Sequence, residues 1–390
     1  MIAGVLKARD NTKQWETRVP RPPYDRHSEQ RWQMNDNVIE MAASGSVRAA
    51  GGGRRKGFYD RIAKRSIAPL WEVLRGIAPN EPVTALAAHV WRWEECRSYL
   101  IEAGDLLSAE EAERRALLLE NPALPGKSRT TGTLTGAIQL VLPKEIAPAH
   151  RHTQTAVRFV MESDGGFTTV DGERTPMRPG DFIVTPSWTF HDHGNHGQAP
   201  LLFLDVVDAP ISGFFSTGFS GLHNDRQQSI TRPEGDSLAR FGTGLLPLEA
   251  KAPYGLASPV FNYPYQRTRA SLATIERNSR PDPHWGHTLR FSNPLNGGWA
   301  TPTIANWMTR LPPDFSTEPM RSTDALIVAV AEGSGAVQAG DRRLTLGPGD
   351  VVVVPNWCWR QFSAGSDGCV LFVSSDRAAQ EKLDFWREER

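Results

Sequence analysis

Charge of one sign is missing from this sequence: 44 Lys plus Arg face 44 Asp plus Glu, for a formal net charge of zero. Nothing in that balance favours nucleic acid or an acidic membrane surface as a partner, so a small or neutral molecule is expected. Cysteine is also scarce. Cys96, Cys358 and Cys369 are scattered with no C-x-x-C pair, which argues against a disulfide framework and a structural zinc site and makes a reducing cytoplasm the expected compartment. No stretch reaches the roughly 20 apolar residues of a membrane-spanning helix. The opening MIAGVLKARDNTKQWETRVPRPPYDR lacks the apolar run and small-residue cleavage site of a secretory signal.

What is present is 390 residues, 39% of them hydrophobic, enough for two compact units. Residues 1–57 are polar and finish in SGSVRAAGGGRRKG, which predicts a flexible extension. Residues 58–128 carry helical patterns, the last being SAEEAERRALLLENPAL, where Ser108 and Glu111 form a capping box and Asn121-Pro122 ends the helix. From 129 to 208 the pattern changes to short apolar runs such as GAIQLVL, AVRFVM and DFIVTP, broken by Gly, Pro and Asp, as in a β-sandwich or barrel. Residues 209–270 read as connecting loops, and 271–380 as a second β domain. The second copies the first: Gly180-Asp181 through Pro186, Trp188 and His191 aligns without gaps with Gly349-Asp350 through Pro355, Trp357 and Arg360.

Five of the ten histidines fall between positions 150 and 196. His150 and His152 are separated by the strand period, so their imidazoles share a face. His191 follows the strand-like DFIVTP and can return beside them on an antiparallel neighbour. Three neutral imidazoles suit a borderline divalent ion such as iron, zinc or copper. His193, again at strand spacing, faces the same cavity as His191, whereas His196 is expected at the surface.

The run Gly180, Pro186, Trp188, His191, Asn195 resembles the second signature of the cupin family, and the H-x-H pair supplies the first. The resemblance implies a mainly β double cupin, two small antiparallel β-barrels of the double-stranded β-helix type, with a helical N-terminal region. Many cupins add a Glu after the second histidine; Ala156 and Val157 stand there. In the second copy the alignment puts Pro319, Arg321 and Arg360 at the histidine positions, so that barrel is expected to be metal-free.

More specifically, APAHRHTQTAVRFVM, PGDFIVTPSWTFHDHG, AERRALLLENPAL and TLTGAIQLVLP resemble the gentisate 1,2-dioxygenase family, which includes salicylate and 1-hydroxy-2-naphthoate dioxygenases. That resemblance implies Fe(II) on His150, His152 and His191, with a small aromatic hydroxy acid and O2 as reactants. The ring is opened between its carboxyl-bearing and hydroxyl-bearing carbons. It implies Arg158 and Arg114 as substrate-binding cations, Gln139 and His193 as polar pocket groups, and Asp205 as an acid near the site. Where relatives often carry an aromatic, this chain has Thr135, which enlarges the pocket wall and opens the alternative of a 5-substituted salicylate (amino or nitro) or a second-ring substrate. A metal-binding cupin without oxygenase activity is the alternative of another class. The family also implies a homo-oligomer, often a tetramer.

Overall fold

The structure, a computed structural model, describes residues 53–390. Most of the expected extension, residues 1–52, lies outside them. Its last five residues do not extend as a coil: Gly53–Ala63 form helix α1, which buries no residue. The helical region continues with α2 (Leu70–Ile77), α3 (Trp93–Leu106) and α4 (Ala109–Ala112). Among the described residues, no helix is long and apolar enough to cross a membrane.

Two readings of this region are corrected. Ser108 does cap α4 in a full capping box with Glu111, but the helix stops after four residues and Arg115–Leu118 become strand β2. The segment RALL alternates in burial and pairs with the next strand, residue Leu117 opposite Ile138, so tertiary pairing overrides a pattern that also fits a helix. His89–Trp91 likewise form a strand, β1, ahead of α3.

The first barrel is made of β3 (Thr135–Val141), β4 (Ile146–His152), β5 (Ala156–Glu162), β6 (Gly166–Val170), β7 (Glu173–Pro176), β8 (Phe182–Thr185), β9 (His191–Asn195) and β10 (Leu201–Val207). The expected connecting loops, 209–270, hold α5 (Ala209–Phe214), β11 (Ser220–Leu222), α6 (Asp236–Phe241), β12 (Asn262–Tyr263) and the start of α7 (Tyr265–Asn278). β11 and β12 complete the two sheets of this barrel, ordered β12-β8-β5-β10-β3-β2 and β11-β4-β9-β6-β7. The second barrel follows with β13 (His287–Arg290), β14 (Ala305–Leu311), β15 (Arg321–Ser322), β16 (Leu326–Ala339), β17 (Arg342–Leu346), β18 (Val351–Val354) and β19 (Arg360–Ser375). Helix α8 (Arg377–Lys382) and strand β20 (Glu388–Glu389), paired with β15, close the chain.

The two barrels exchange strands. β1 precedes the first barrel but pairs with β18 of the second, and β12 precedes the second but pairs with β8 of the first. Each exchanged strand leads into a helix whose first N–H is held by a buried carboxylate of the barrel that receives the strand. Asp350 accepts from Trp93 N at 2.9 Å, and Asp181 accepts from Tyr265 N at 2.8 Å. The glycine before each aspartate has positive φ, 85° at Gly180 and 78° at Gly349, and a Cβ there would strike the Tyr265 or Trp93 ring. A second reciprocal pair joins the far ends, where Thr133 Oγ1 donates to Asp376 and Thr303 Oγ1 to Asp208.

Alternation then assigns the faces. Ile138, Leu140, Val157, Phe159, Leu202 and Leu204 turn outward into a core shared with Ile327, Ala329, Val370 and Phe372 of the second barrel. Phe159 stacks on Phe372 with ring centroids 4.6 Å apart, and Phe182 on Phe291 at 4.4 Å. The alternate residues Ala137, Gln139, Arg158, Phe203 and Asp205 therefore turn into the first barrel.

Register also corrects the repeat. Phe159 pairs with Phe182, while Ala329 pairs with Val351, so this strand is displaced by 170 positions rather than 169. The first copy breaks between β5 and β6 at Ser163-Asp164-Gly165, whereas the second runs through in one strand, β16, with bulges. One residue fewer at that corner shifts everything upstream. The counterparts of His150 and His152 are thus Met320 and Ser322, not Pro319 and Arg321: Met320 bridges Arg360 as His150 pairs with His191. Ser322 O accepts from Trp357 N as His152 O does from Trp188 N. Arg360 keeps its assignment.

Asp181→Ala should lower the unfolding free energy by about 1–3 kcal/mol, because the N–H groups of Tyr265 and Arg178 and the Asn262 amide lose their acceptor. Urea titration monitored by tryptophan fluorescence measures it. A midpoint equal to that of the parent protein would show that the helix start does not depend on this carboxylate.

Candidate metal centre

β4 and β9 lie side by side with His150 opposite His191, and a break in register between Ala147 and His150 turns the end of β4 inward. The rings of His150, His152 and His191 sit with centroids 4.2–5.3 Å apart, and one nitrogen of each lies within 4.8 Å of the others. Among the described residues this is the one cluster of three His, Cys, Asp or Glu side chains able to hold a metal ion.

Each imidazole is fixed by the chain itself. His150 Nδ1 faces the Pro148 carbonyl at 3.2 Å, His152 Nδ1 the Gln154 carbonyl at 2.8 Å and His191 Nδ1 the Thr189 carbonyl at 2.9 Å. A carbonyl accepts only, so at His152 and His191 Nδ1 carries the proton and Nε2 presents its lone pair, whereas His150 Nδ1 lies between the Pro148 acceptor and the Arg114 donor. His191 Nε2 is buried and has no hydrogen-bond partner in the protein, which is what a ligand position requires. Burial, reinforced by Arg114 and His152, pushes the His150 pKa down to about 3, and burial lowers those of His152 and His191 as well. All three are neutral at pH 7. The donor set fits a divalent ion of the borderline class with no carboxylate ligand.

Of the other expected residues, His193, Arg158, Asp205 and Arg114 lie beside the cluster. His193 is buried beside His191, with ring centroids 5.8 Å apart, its Nδ1 free of any protein partner and its pKa held well below normal by burial and then by Arg158 and Arg114. Arg158 is 2% exposed, donates from Nη1 to Thr185 Oγ1 at 2.5 Å, and faces its cross-strand neighbour Asp205 at 3.5 Å. That ion pair lacks a hydrogen bond, so Arg158 Nε and Asp205 Oδ1 both keep an unfilled position. Arg114 donates to the Pro148 carbonyl at 3.0 Å and lies against His150 Nδ1. Gln139 stands on the inner face of β3 with its amide nitrogen unpaired. Thr135 begins the same face at the rim and donates to the Ser128 carbonyl at 3.0 Å. His196 is exposed, as expected.

Three contributors were not foreseen. Thr185 sits in the DFIVTP run but is recognised only through the register that sets β8 beside β5. Phe203 packs under His193, with centroids 5.2 Å apart. β11 covers the ligand strand, Ser220 opposite His152 and Leu222 opposite His150. A cavity lined by His152, Gln154, Val207 and Phe219 opens between this cover and the cluster.

His152→Ala should remove metal retention and turnover together, since two imidazoles do not complete the site. Metal content by plasma emission spectroscopy, measured after dialysis, checks the first loss. Full metal content in this variant would sink the assignment.

Comparison with known proteins places this geometry. A family model described as the cupin domain matches residues 137–207. The chain is 46% identical over 336 residues, 86% of its length and 96% of the relative's, to gentisate 1,2 dioxygenase 1 of Aquipseudomonas alcaligenes. It is 32% identical over 335 residues to the 5-aminosalicylate 1,2-dioxygenase of Comamonas sp., covering 85% of this chain and 89% of that one. The solved salicylate 1,2-dioxygenase of Pseudoaminobacter salicylatoxidans, in its adduct with gentisate, superposes with a TM-score of 0.81 at 30% identity, covering 88% of this chain and 96% of that one. A cupin without oxygenase activity is not favoured by any of these relatives. With the three-histidine cluster on a double cupin and that degree of identity along its length, the chain belongs to the gentisate 1,2-dioxygenase family and is an aromatic ring-cleaving dioxygenase.

Proposed function

We propose that the protein is an Fe(II)-dependent 1,2-dioxygenase acting on gentisate, with O2 as co-substrate. The observation that carries this reading is the convergence of three imidazoles, with one nitrogen of each within 4.8 Å of the others, and one buried, under-bonded arginine on the inside of one barrel. Iron bound to His150, His152 and His191 would supply the one-electron chemistry that lets O2 react with a closed-shell ring, and leaves open positions for ligands.

The remaining work falls to the protein's own side chains. Arg158 offers a fixed positive charge and a free Nε–H to the substrate carboxylate, and Thr185 and Asp205 hold its guanidinium in place. Arg114 adds a second cation beside His150. His193, neutral and with Nδ1 unclaimed, is placed to hold a hydrogen bond with a ring hydroxyl. Gln139 offers an amide from the strand paired with Phe203, whose ring packs against His193. Identity of 46% to a gentisate dioxygenase against 32% to a 5-aminosalicylate dioxygenase supports gentisate over the substituted salicylates.

A homo-oligomer is part of the same reading, supported by the exposed Leu70, Trp71, Leu74 and Ile77 along α2. A cytoplasmic location is supported by three cysteines that form no disulfide.

Oxygen uptake by protein loaded anaerobically with Fe(II), offered gentisate, salicylate, 5-aminosalicylate, 5-nitrosalicylate and 1-hydroxy-2-naphthoate in parallel, tests the proposal. Gentisate should give the fastest uptake; none with any acid despite bound iron would overturn it. Arg158→Ala should raise KM for gentisate by about 10²-fold or more with metal content unchanged, the loss expected for a charge-assisted pair in a buried site. Thr135→Trp should narrow the range of ring substituents accepted; an unchanged profile would place this rim position away from the substrate.

A further inference from the structure

The second barrel keeps the frame of the first and loses its polar interior. Cross-strand register makes Val328 and Val373 the counterparts of Arg158 and Asp205, and Thr309 and Leu371 those of Gln139 and Phe203. One buried charge interrupts this apolar lining. Arg360, which stands where the first barrel has His191, is 3% exposed and lines a narrow cavity with Trp307, Met320, Phe362 and His284.

Its guanidinium is under-bonded. Nη1 and Nη2 are both buried, and neither has a hydrogen-bond acceptor among the described residues. Asp324 is the acid whose charge Arg360 feels most, yet its two oxygens are already engaged: Oδ2 accepts from Ser375 Oγ at 2.5 Å and Oδ1 from Trp386 Nε1 at 3.0 Å. Glu388 pairs through Oε1 with Arg390 and its buried Oε2 makes no hydrogen bond to the guanidinium, while Arg377 adds a second positive charge. His284 brings another buried polar atom without a protein partner, Nδ1, into the same lining. An arginine cannot shed its proton to escape this position, so the charge and its two free N–H forks call for an acceptor from outside the chain.

We infer that the second barrel binds a small monovalent anion, of the size of chloride or formate, on Nη1 and Nη2 of Arg360. A cavity of 30 Å³ sets the size limit, since it holds about two waters and therefore excludes an aromatic acid. The site is not a second copy of the ring-cleaving centre. It is an anion site at the same place in the fold, with the sign of the preferred ligand inverted by exchanging an imidazole lone pair for a guanidinium.

The test uses the iron-loaded enzyme after exhaustive dialysis, melted in sodium chloride, sodium formate or sodium gluconate at equal ionic strength. Gluconate is too large for the cavity. Chloride or formate should raise the melting temperature over gluconate by about 2 °C at concentrations well above the dissociation constant, and the difference should vanish in Arg360→Met. Equal melting of the parent enzyme in all three salts, or an undiminished difference in Arg360→Met, overturns the inference. Should that variant fail to fold, crystals of the parent enzyme grown in sodium bromide decide it. An anomalous peak at hydrogen-bonding distance from the Arg360 guanidinium is the expected result, and water density alone at that place refutes the site.

Discussion

Each metal-facing imidazole is held by a backbone carbonyl two residues away along the chain, and the chemistry of the first barrel depends on that tether. The acceptors are Pro148, Gln154 and Thr189, all carbonyls of β4, its following turn or the turn before β9. Because a carbonyl only accepts, the bond fixes the tautomer as well as the ring orientation at His152 and His191, and leaves their Nε2 atoms facing the centre. Burial then keeps the rings neutral. Only His150 has a further side chain, Arg114, against its Nδ1.

That local tether is only as good as the frame that brings β4 and β9 together, and the frame belongs to both barrels. The outer face of the sheet carrying Arg158 packs on the second barrel through Phe159 and Phe372, while β12, delivered from the approach to the second barrel, completes the first. Asp181 and Asp350 make the exchange reciprocal. Neither barrel closes its sheet alone, which gives the second barrel a structural reason to be retained and predicts cooperative unfolding of the two as one unit.

The parts of this arrangement that were legible in the sequence are those governed by local period. His150-x-His152 and His191-x-His193 each place two rings on one face at strand spacing, and the Gly-Asp, Pro and Trp positions repeat because the same turn geometry demands them twice: Gly180 and Gly349 share a positive φ, as do Trp188 and Trp357. What was not legible is governed by pairing at long range. The RALL segment satisfies a helical pattern until β3 is beside it, and β1 is three residues long, too short to announce itself. The one-residue difference at the β5–β6 corner is invisible to a motif match confined to Gly180–His191. Only the register of β16 against β18 reveals that Met320 and Ser322 occupy the places of the first two histidines.

Electrostatics explains why the substrate of such a site must be an acid. Around the neutral histidines lie two cations, the partly buried Arg114 and the buried Arg158, with Asp205 as the cross-strand neighbour of Arg158, its nearest guanidinium nitrogen 3.5 Å away and forming no hydrogen bond with it. A divalent ion adds two further positive charges to a region that is already positive and largely closed to water. In that setting a neutral phenol adds no negative charge, whereas in the proposed function a hydroxybenzoate would bring a carboxylate to Arg158. The attraction is strong because the guanidiniums are desolvated in advance; burial already disfavours their charged state and lowers both pKa values. In the function proposed above, binding of an acid relieves that cost, so the two arginines favour a carboxylate before any feature of the ring is read.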